Sequence, residues 1–421
     1  IMKTGGIVHI APSQTADKQL NYQFKKTKTK LILCSKKMKN KAIRTKNEGS
    51  LIVEIDTYEF LKEINPNLYK NRFNEISSIV FTSGTTGIPK GVIIKHKNVI
   101  IATENIVNVV QITKDDIEIN PLQLSHSFGL GCIHAIFSQG ATSIIFQNMI
   151  NLKEILKIAL NKKATGFVSV PSTFRQILDN YKNEFKLCDK HIRYLLTNSG
   201  AIPKNTVLEI LDQMNNVKFF TYYGLTEASR STFLLFNDNI REIESVGKVA
   251  KGVKIKIVDE NEKQVKNNQQ GEIWIKGKNV IEKYLDKSDT QKRIRDMWLR
   301  TGDIGHFDSG DFLYVDGRKD DMINVSGEKV SPLEIENTIR EIDSVKDVAV
   351  IGISDVVFGE VPIAFIVTKS NLEEDEIIKY CIPNLERFKI PQKIFFVNNI
   401  PRNDSGKIER KTLKLKLDKV D

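Results

Sequence analysis

The sequence predicts an α/β protein: a large N-terminal domain of α/β subdomains ending in a small antiparallel β region, then a small α+β C-terminal domain. Three observations predict it. The chain has 421 residues, beyond the roughly 250–300 at which one hydrophobic core stops growing. Short apolar runs rich in β-branched residues alternate with segments of helical periodicity. The pattern becomes strictly alternating beyond about Gly247, and the composition changes again near Gly317-Arg-Lys-Asp-Asp321, which places the domains at residues 1–319 and 320–421.

In chain order, Ile76-Ser-Ser-Ile-Val-Phe-Thr82 reads as a buried strand and Lys97–Val110 as the helix that follows. Ala164–Val170 is a second strand, and after Pro171 comes a helix over Ser172–Tyr181. Lys254-Ile-Lys-Ile-Val258 and Gly271-Glu-Ile-Trp-Ile-Lys276 alternate apolar and polar residues, as half-buried antiparallel strands do. Ser331 precedes Pro332 as an N-cap precedes a first-turn proline, so a helix is expected over Pro332–Ile342, then strands at Val348–Ile353 and Ile363–Val367.

A hydrophobic fraction of 40% with 27% charged residues describes an ordinary globular chain. No apolar run reaches the roughly 20 residues of a membrane span, and Val348–Val367 is broken by Asp355, Gly359, Glu360 and Pro362. The first ten residues have no signal-peptide pattern. Cys34, Cys132, Cys188 and Cys381 are scattered without metal-ligand spacing, which suits reduced thiols in the cytoplasm. The net charge of +11 is concentrated upstream, with ten Lys and Arg and no acid between Lys25 and Lys46, whereas Asp321 onward carries 15 Lys and Arg against 18 Asp and Glu. Without a nucleic-acid motif, that basic run reads as a solvated face, and no nucleic-acid partner is expected.

Four segments carry chemistry. Thr82-Ser83-Gly84-Thr85-Thr86-Gly87-Ile-Pro-Lys90-Gly91 follows a predicted strand; glycines admit phosphate oxygens to the backbone, hydroxyls donate to them, and Lys90 adds charge. It is no Walker loop, since Pro89 stands where that motif needs glycine; a flexible turn has a similar composition. Tyr223-Gly224-Leu-Thr226-Glu227 sets a carboxylate beside a hydroxyl, which suits Mg²⁺ and its phosphates, with a tyrosine face for a base; a surface glutamate after a turn is the plainer reading. Asp303, in Trp298-Leu-Arg-Thr-Gly-Asp303, and Arg318 are a pair able to hold ribose hydroxyls, while Asp303 beside Gly302 also fits a turn. Lys407, in Pro401-Arg-Asn-Asp-Ser-Gly-Lys407, is a long-armed point charge suited to charge developing on a phosphorus group, or a solvated tail lysine.

Together these segments resemble the adenylate-forming superfamily of acyl- and aryl-CoA ligases, peptide-synthetase adenylation domains and luciferases, in that family's order through nearly the whole chain. The resemblance extends to Lys3–Pro12 as the early Gly-Gly motif, to His126 within Pro121–Gly129 lining the acyl pocket, and to Ser199-Gly200-Ala201 flanking adenine. It implies Glu227 as the Mg²⁺ ligand, with Thr226 beside it in the Mg-ATP motif, Asp303 and Arg318 as the ribose pair, Lys407 as the mobile catalytic lysine, Asp320 as the interdomain hinge, and Ser326-Gly327 in the loop near the pantetheine path. The Gly-Gly motif normally has considerable chain before it, so a chain lacking the first part of the N-terminal domain is expected.

The resemblance further implies ATP, Mg²⁺ and coenzyme A, or a carrier-protein phosphopantetheine, as cofactors and partners. A small carboxylic acid would become an acyl-adenylate and then a thioester, the mobile C-terminal domain swinging about Asp320 between the two steps. Leu124-Ser-His-Ser-Phe-Gly-Leu130 has no acid to pair with an ammonium group, so a fatty or aryl acid is expected over an amino acid. A non-catalytic nucleotide-binding relative or inactive fragment is the alternative of another class, and luciferase-like oxygen chemistry has no positive feature.

Overall fold

The structure is a computed structural model of the chain, and it describes residues 5–56, 73–82, 89–146, 151–326, 328–402 and 407–417. Ser83, Gly84, Thr85, Thr86, Gly87 and Gly327 lie outside the described residues. The expected strand Ile76–Thr82 is present, and the following helix spans His96–Val110. Sequence reading passed over the strand between them, Lys90–Lys95, because a run of three apolar residues bracketed by lysines is too short to show a period. It pairs antiparallel with Ile76–Thr82, Thr82 opposite Lys90, so both flanks of the expected phosphate-binding segment are tied to one ladder.

Among the described residues the largest sheet has seven strands, in the spatial order Lys248–Val249, Ala228–Leu235, Lys218–Leu225, Tyr194–Thr197, Gly166–Ser169, Ile117–Asn120, Thr142–Ile145. The last five of these are parallel. Parallel strands covered on both faces read as continuous apolar runs, and Gly166–Ser169 and Tyr194–Thr197 are buried throughout. Their side chains divide by the period of two. Phe167, Leu195 and Phe219 join Phe174, Phe185 and Phe236 on one face; Val168, Leu196, Phe220 and Tyr222 pack on the other against Ile106, Phe128 and Cys132. The expected helix Ser172–Tyr181 spans Pro171–Asn180 in the first of these layers.

The alternating segments form the antiparallel sheet they predict. Val253–Val258 pairs with Gly271–Gly277, which pairs with Trp298–Phe307, and Leu313–Arg318 lies on the far side of that long strand. From Ile323 the chain builds another sheet with its own core, including Ile323, Val330, Ile335, Val348, Val350 and Ile366. Ser331 caps the helix Pro332–Arg340, its Oγ accepting from the Glu334 N–H at 3.3 Å. The two apolar runs after it are longer than read, Val345–Asp355 and Gly359–Thr368, because their hairpin pairing continues past the apolar centre into polar flanks. The basic run spreads over the helices Asp17–Thr27 and Lys39–Thr45 and the strand Leu31–Cys34. It is partly neutralised, Lys26 lying 2.7 Å from Asp286 and Arg44 2.9 Å from Asp17. No helix among the described residues is long and apolar enough to cross a membrane.

Candidate functional site

The parallel strands end side by side at Asn120, Ser169, Thr197 and Leu225, and loops at the carboxyl ends of such strands are where open α/β sheets bind ligands. His126, Ser199, Thr226 and Glu227 follow three of those ends. Thr226 and Glu227 form the two-residue turn between Lys218–Leu225 and Ala228–Leu235, with Leu225 paired to Ala228. Gly224 makes that turn possible: a Cβ there would stand 2.5 Å from the Arg230 N and 3.0 Å from the Ala228 O, both backbone atoms that cannot swing aside. Gly224→Ala is expected to cost about 1–3 kcal/mol of stability by overpacking, read as a lower urea midpoint.

Asp303 sits in the middle of the strand Trp298–Phe307 rather than in a turn, directly opposite Arg318 on the neighbouring strand. Cross-strand placement therefore brings together the expected pair, fifteen residues apart in sequence. The Arg318 Nε is 2.8 Å from the Asp303 Oδ1, and the Tyr223 hydroxyl donates to Oδ2 at 2.5 Å. The Thr301 Oγ1 accepts from the Asp303 N–H at 3.0 Å, and Arg318 Nη1 donates to the Thr301 carbonyl at 3.0 Å. Asp303 is 4% exposed, so each of these bonds works in a desolvated setting where charge-assisted pairing is strong. Asp303 raises the Arg318 pKa, burial opposing it, and the buried Tyr223 phenol is held well above its usual value, first by burial and then by the neighbouring carboxylate. Tyr223 packs in the core beneath the antiparallel sheet, so it serves this site by fixing Asp303.

Glu227 accepts from the Tyr284 hydroxyl at 3.0 Å, and the Ile281 N–H donates to the Glu227 carbonyl at 2.9 Å. Sequence reading missed Tyr284, and its surroundings, Ile281-Glu-Lys-Tyr284, carry no turn or motif signal. Lys90 begins a strand, and its Nζ lies 3.1 Å from the Asp289 Oδ1 on the helix Lys287–Arg293. A phosphate at Lys90 would share or displace that partner. Ser199 adopts a left-handed backbone, φ 83°, and Asn198, also missed, holds it, its Oδ1 accepting from the Ser199 N–H and its Nδ2 donating to the Tyr222 carbonyl. Gly200 and Ala201 are exposed, leaving their backbone open to a planar ligand.

His126 caps the helix Ser127–Ser138, its Nδ1 accepting from the Phe128 N–H at 3.3 Å. Burial, and after it the charge of Lys407, lowers its pKa to about 4, so the ring is neutral near pH 7. Lys407 lies more than 80 residues from the other site residues in sequence, yet its ammonium feels Arg318, Asp303 and Glu227. The residue keeps solvent access, while enough protein surrounds the ammonium to make desolvation the main cause of its lowered pKa, with Arg318 next. The following residues anchor it. Arg410 bonds Glu336 and donates from Nε to the Val350 carbonyl at 3.1 Å, and Glu336 is 1% exposed. Arg410→Ala strands much of that buried charge and is expected to cost about 3 kcal/mol, seen as faster amide exchange in the helix Pro332–Arg340.

Asp320 lies in the exposed turn Lys319–Asp321 that leaves Arg318 for the C-terminal sheet, and Ser326, with φ 52°, donates its N–H to the Phe358 carbonyl at 2.7 Å. Mg²⁺ can be tested against the donor set. Among the described residues no three His, Cys, Asp or Glu side chains group as a metal cage, and Glu227 with the Thr226 hydroxyl fits an ion that keeps its waters and takes further oxygens from phosphates.

Two family models match the chain, one described as AMP-binding enzyme over residues 1–285 and one as AMP-binding enzyme C-terminal domain over residues 334–407. The 2-succinylbenzoate–CoA ligase of Listeria monocytogenes is 30% identical over 417 residues, 98% of this chain and 84% of that protein. Its counterpart in Bacillus pumilus is 32% identical over 347 residues, 82% of this chain and 69% of the relative. Among solved structures, ATP-bound MatB from Rhodopseudomonas palustris matches with a TM-score of 0.89 at 25% identity, over 99% of this chain and 85% of that one. The o-succinylbenzoate CoA synthetase from Bacillus subtilis, in complex with its acyl-adenylate intermediate, matches with a TM-score of 0.83 at 26% identity, over 95% and 81%.

Proposed function

The chain belongs to the AMP-binding enzyme family, and on that premise we propose that it activates a fatty or aryl carboxylic acid with ATP to an acyl-adenylate and transfers the acyl group to the thiol of coenzyme A. The observation that carries this reading is the cross-strand pairing of Asp303 with Arg318, fixed by Tyr223 and near enough to Lys407 for their charges to act on its ammonium, since adenylation needs a cation at the attacked phosphorus while the ribose and the leaving phosphates are held.

In the first step a carboxylate oxygen attacks the α-phosphorus in line and pyrophosphate leaves. Asp303 accepts from the ribose hydroxyls and is held in place by Tyr223 and Arg318. The loop Thr82–Gly87 and Lys90 embrace the β and γ phosphates, Ser199–Ala201 flank the base, and Lys407 follows the charge that develops on the α-phosphoryl oxygens. Bound at Glu227 beside Thr226, Mg²⁺ would neutralise phosphate charge. Neutral His126 approaches the acid without adding a second positive charge beside Lys407. In the second step the C-terminal domain, residues 320–421, turns about Asp320, withdraws Lys407 and brings Ser326 and Gly327 to the thiol's path, a hinge rearrangement. The thiolate then attacks the acyl carbonyl and AMP leaves.

The names of the relatives support an aryl acid and coenzyme A as acceptor. We place the reaction in the cytoplasm, which suits four free cysteines and a substrate pair of ATP and coenzyme A. The test is ATP–pyrophosphate exchange over a panel of acids, repeated for the best acid with coenzyme A and with holo carrier proteins. Exchange with at least one acid and thioester formation on coenzyme A are expected; thioester on the carrier protein alone moves the acceptor to phosphopantetheine. No exchange together with no nucleotide-induced thermal shift would make the chain a non-catalytic relative. In Asp320→Pro the fixed turn is expected to separate the half-reactions, one retained and one lost; equal losses would remove the hinge role.

A further inference from the structure

Three residues beyond Glu227, on the returning strand Ala228–Leu235, stands Arg230, only 2% exposed. Its backbone is left-handed, φ 58°, a conformation that costs an arginine free energy and is retained where surroundings over-determine it. The guanidinium lies under the helix Ser127–Ser138: a Cβ on Gly131 would stand 2.4 Å from both Nη1 and Nη2. It faces the Tyr222 ring, 5.4 Å from its centroid, touches the Cys132 thiol, and donates from Nη1 to the Ser229 Oγ at 3.2 Å. Among the described residues Nε and Nη2 have no hydrogen-bond partner.

Arginine cannot shed its charge, and burying it unpaired costs several kcal/mol. The nearby carboxylate is that of Glu118, 1% exposed, which spends one oxygen on the Tyr194 hydroxyl at 2.8 Å and leaves Oε1 without a partner among the described residues. The two form no ion pair within 4.0 Å, so a buried donor edge and a buried acceptor each stay unused. Burial raises the Glu118 carboxyl to about 7, so near neutral pH a large share of it is uncharged and leaves Arg230 incompletely balanced.

Two elements lead from the reacting groups to this guanidinium. The strand runs from Glu227 to Arg230, and the helix runs from His126 to Gly131, five residues or about 7–8 Å at 1.5 Å per residue. We propose that Arg230 closes the inner end of the acid pocket and selects acids that carry a second carboxylate about 7–8 Å from the one that is adenylated. This rests on the acid-activating reading above. A second carboxylate would accept from Nε and Nη2 side by side, the fork geometry in which arginine binds such groups, and a monoacid would leave those donors unmet.

The test compares kcat/KM for ATP–pyrophosphate exchange on matched acids: adipate against hexanoate, and 3-(4-carboxyphenyl)propanoate against 3-phenylpropanoate. Wild type is expected to favour the diacid of at least one pair by on the order of 10²-fold, because a site built for a polar group rejects the analogue lacking it. Arg230→Met should lower the diacid-to-monoacid ratio by about 100-fold and Arg230→Lys by about 10-fold, with thermal midpoints and the ATP-induced shift reporting folding. If Arg230→Met does not fold, the wild-type panel and Arg230→Lys still decide. Monoacids preferred by wild type, or a ratio unchanged in the variants, would reduce Arg230 to a buried counter-charge for Glu118. Exchange with neither series would overturn the assignment of a second-carboxylate site, and absence of the ATP-induced thermal shift as well would overturn the ligase reading with it.

Discussion

Lys407→Ala is expected to lower ATP–pyrophosphate exchange by about 10²–10³-fold, the loss typical of one preorganised donor. Thioester formation from a supplied acyl-adenylate should fall far less, because the proposed second step withdraws Lys407. The lysine is well chosen for the task. Burial and the Arg318 charge lower its pKa while Asp303 and Glu227 pull it back up, so the ammonium is lost at lower pH than a free lysine's. The sign follows: adenylation declines as pH rises through that lowered value, and its alkaline limb begins earlier than ordinary lysine titration would give. Lys407→Arg, whose charge does not titrate, should remove that limb even if its maximum rate is lower. Exchange unchanged in Lys407→Ala would cancel the catalytic role outright.

Asp303→Ala is expected to raise the KM for ATP by about 10²-fold or more, since two hydrogen bonds from ribose to a charged acceptor contribute about 1.5–3 kcal/mol each. The same substitution strips the Tyr223 hydroxyl and the Arg318 guanidinium of their partner, so some loss of stability accompanies it. Asp303→Asn separates the two effects: an amide oxygen still accepts from Tyr223, but the charge facing Arg318 is gone. Its stability should lie near wild type while its KM remains raised. Titrating exchange against ATP, with urea midpoints measured in parallel, distinguishes them; an unchanged KM in both variants would mean that the ribose is held elsewhere.

The ordered motifs were legible because each is local. A strand followed by Gly, Ser, Thr and Lys, or a carboxylate after Gly-Leu-Thr, announces its chemistry within ten residues. Ser331 before Pro332 likewise predicts a capped helix from two neighbours, and the alternating strands Val253–Val258 and Gly271–Gly277 pair as their period requires. What supports those motifs was not local. Tyr284 reaches Glu227 from 57 residues away, Asn198 orders Ser199 through the Tyr222 carbonyl, and Asp289 meets Lys90 across nearly two hundred residues. Arg230 did leave a trace: a lone charge inside Ala228-Ser-Arg-Ser-Thr-Phe-Leu-Leu235 is anomalous in a strand that is otherwise uncharged.

The sequence by itself determined the α/β class, the family resemblance and the residue types proposed to handle phosphate, ribose and metal, because side-chain chemistry and short-range periodicity are written in adjacent positions. Tertiary structure alone decided how they come into contact. Antiparallel register set Asp303 against Arg318, a two-residue turn beside Gly224 aimed Glu227 at Tyr284, and the helix beginning at His126 came to rest on Arg230. Those meetings depend on strand order and on which face of a sheet a residue occupies, and long-range pairing of that kind has no signature in any one stretch of the chain.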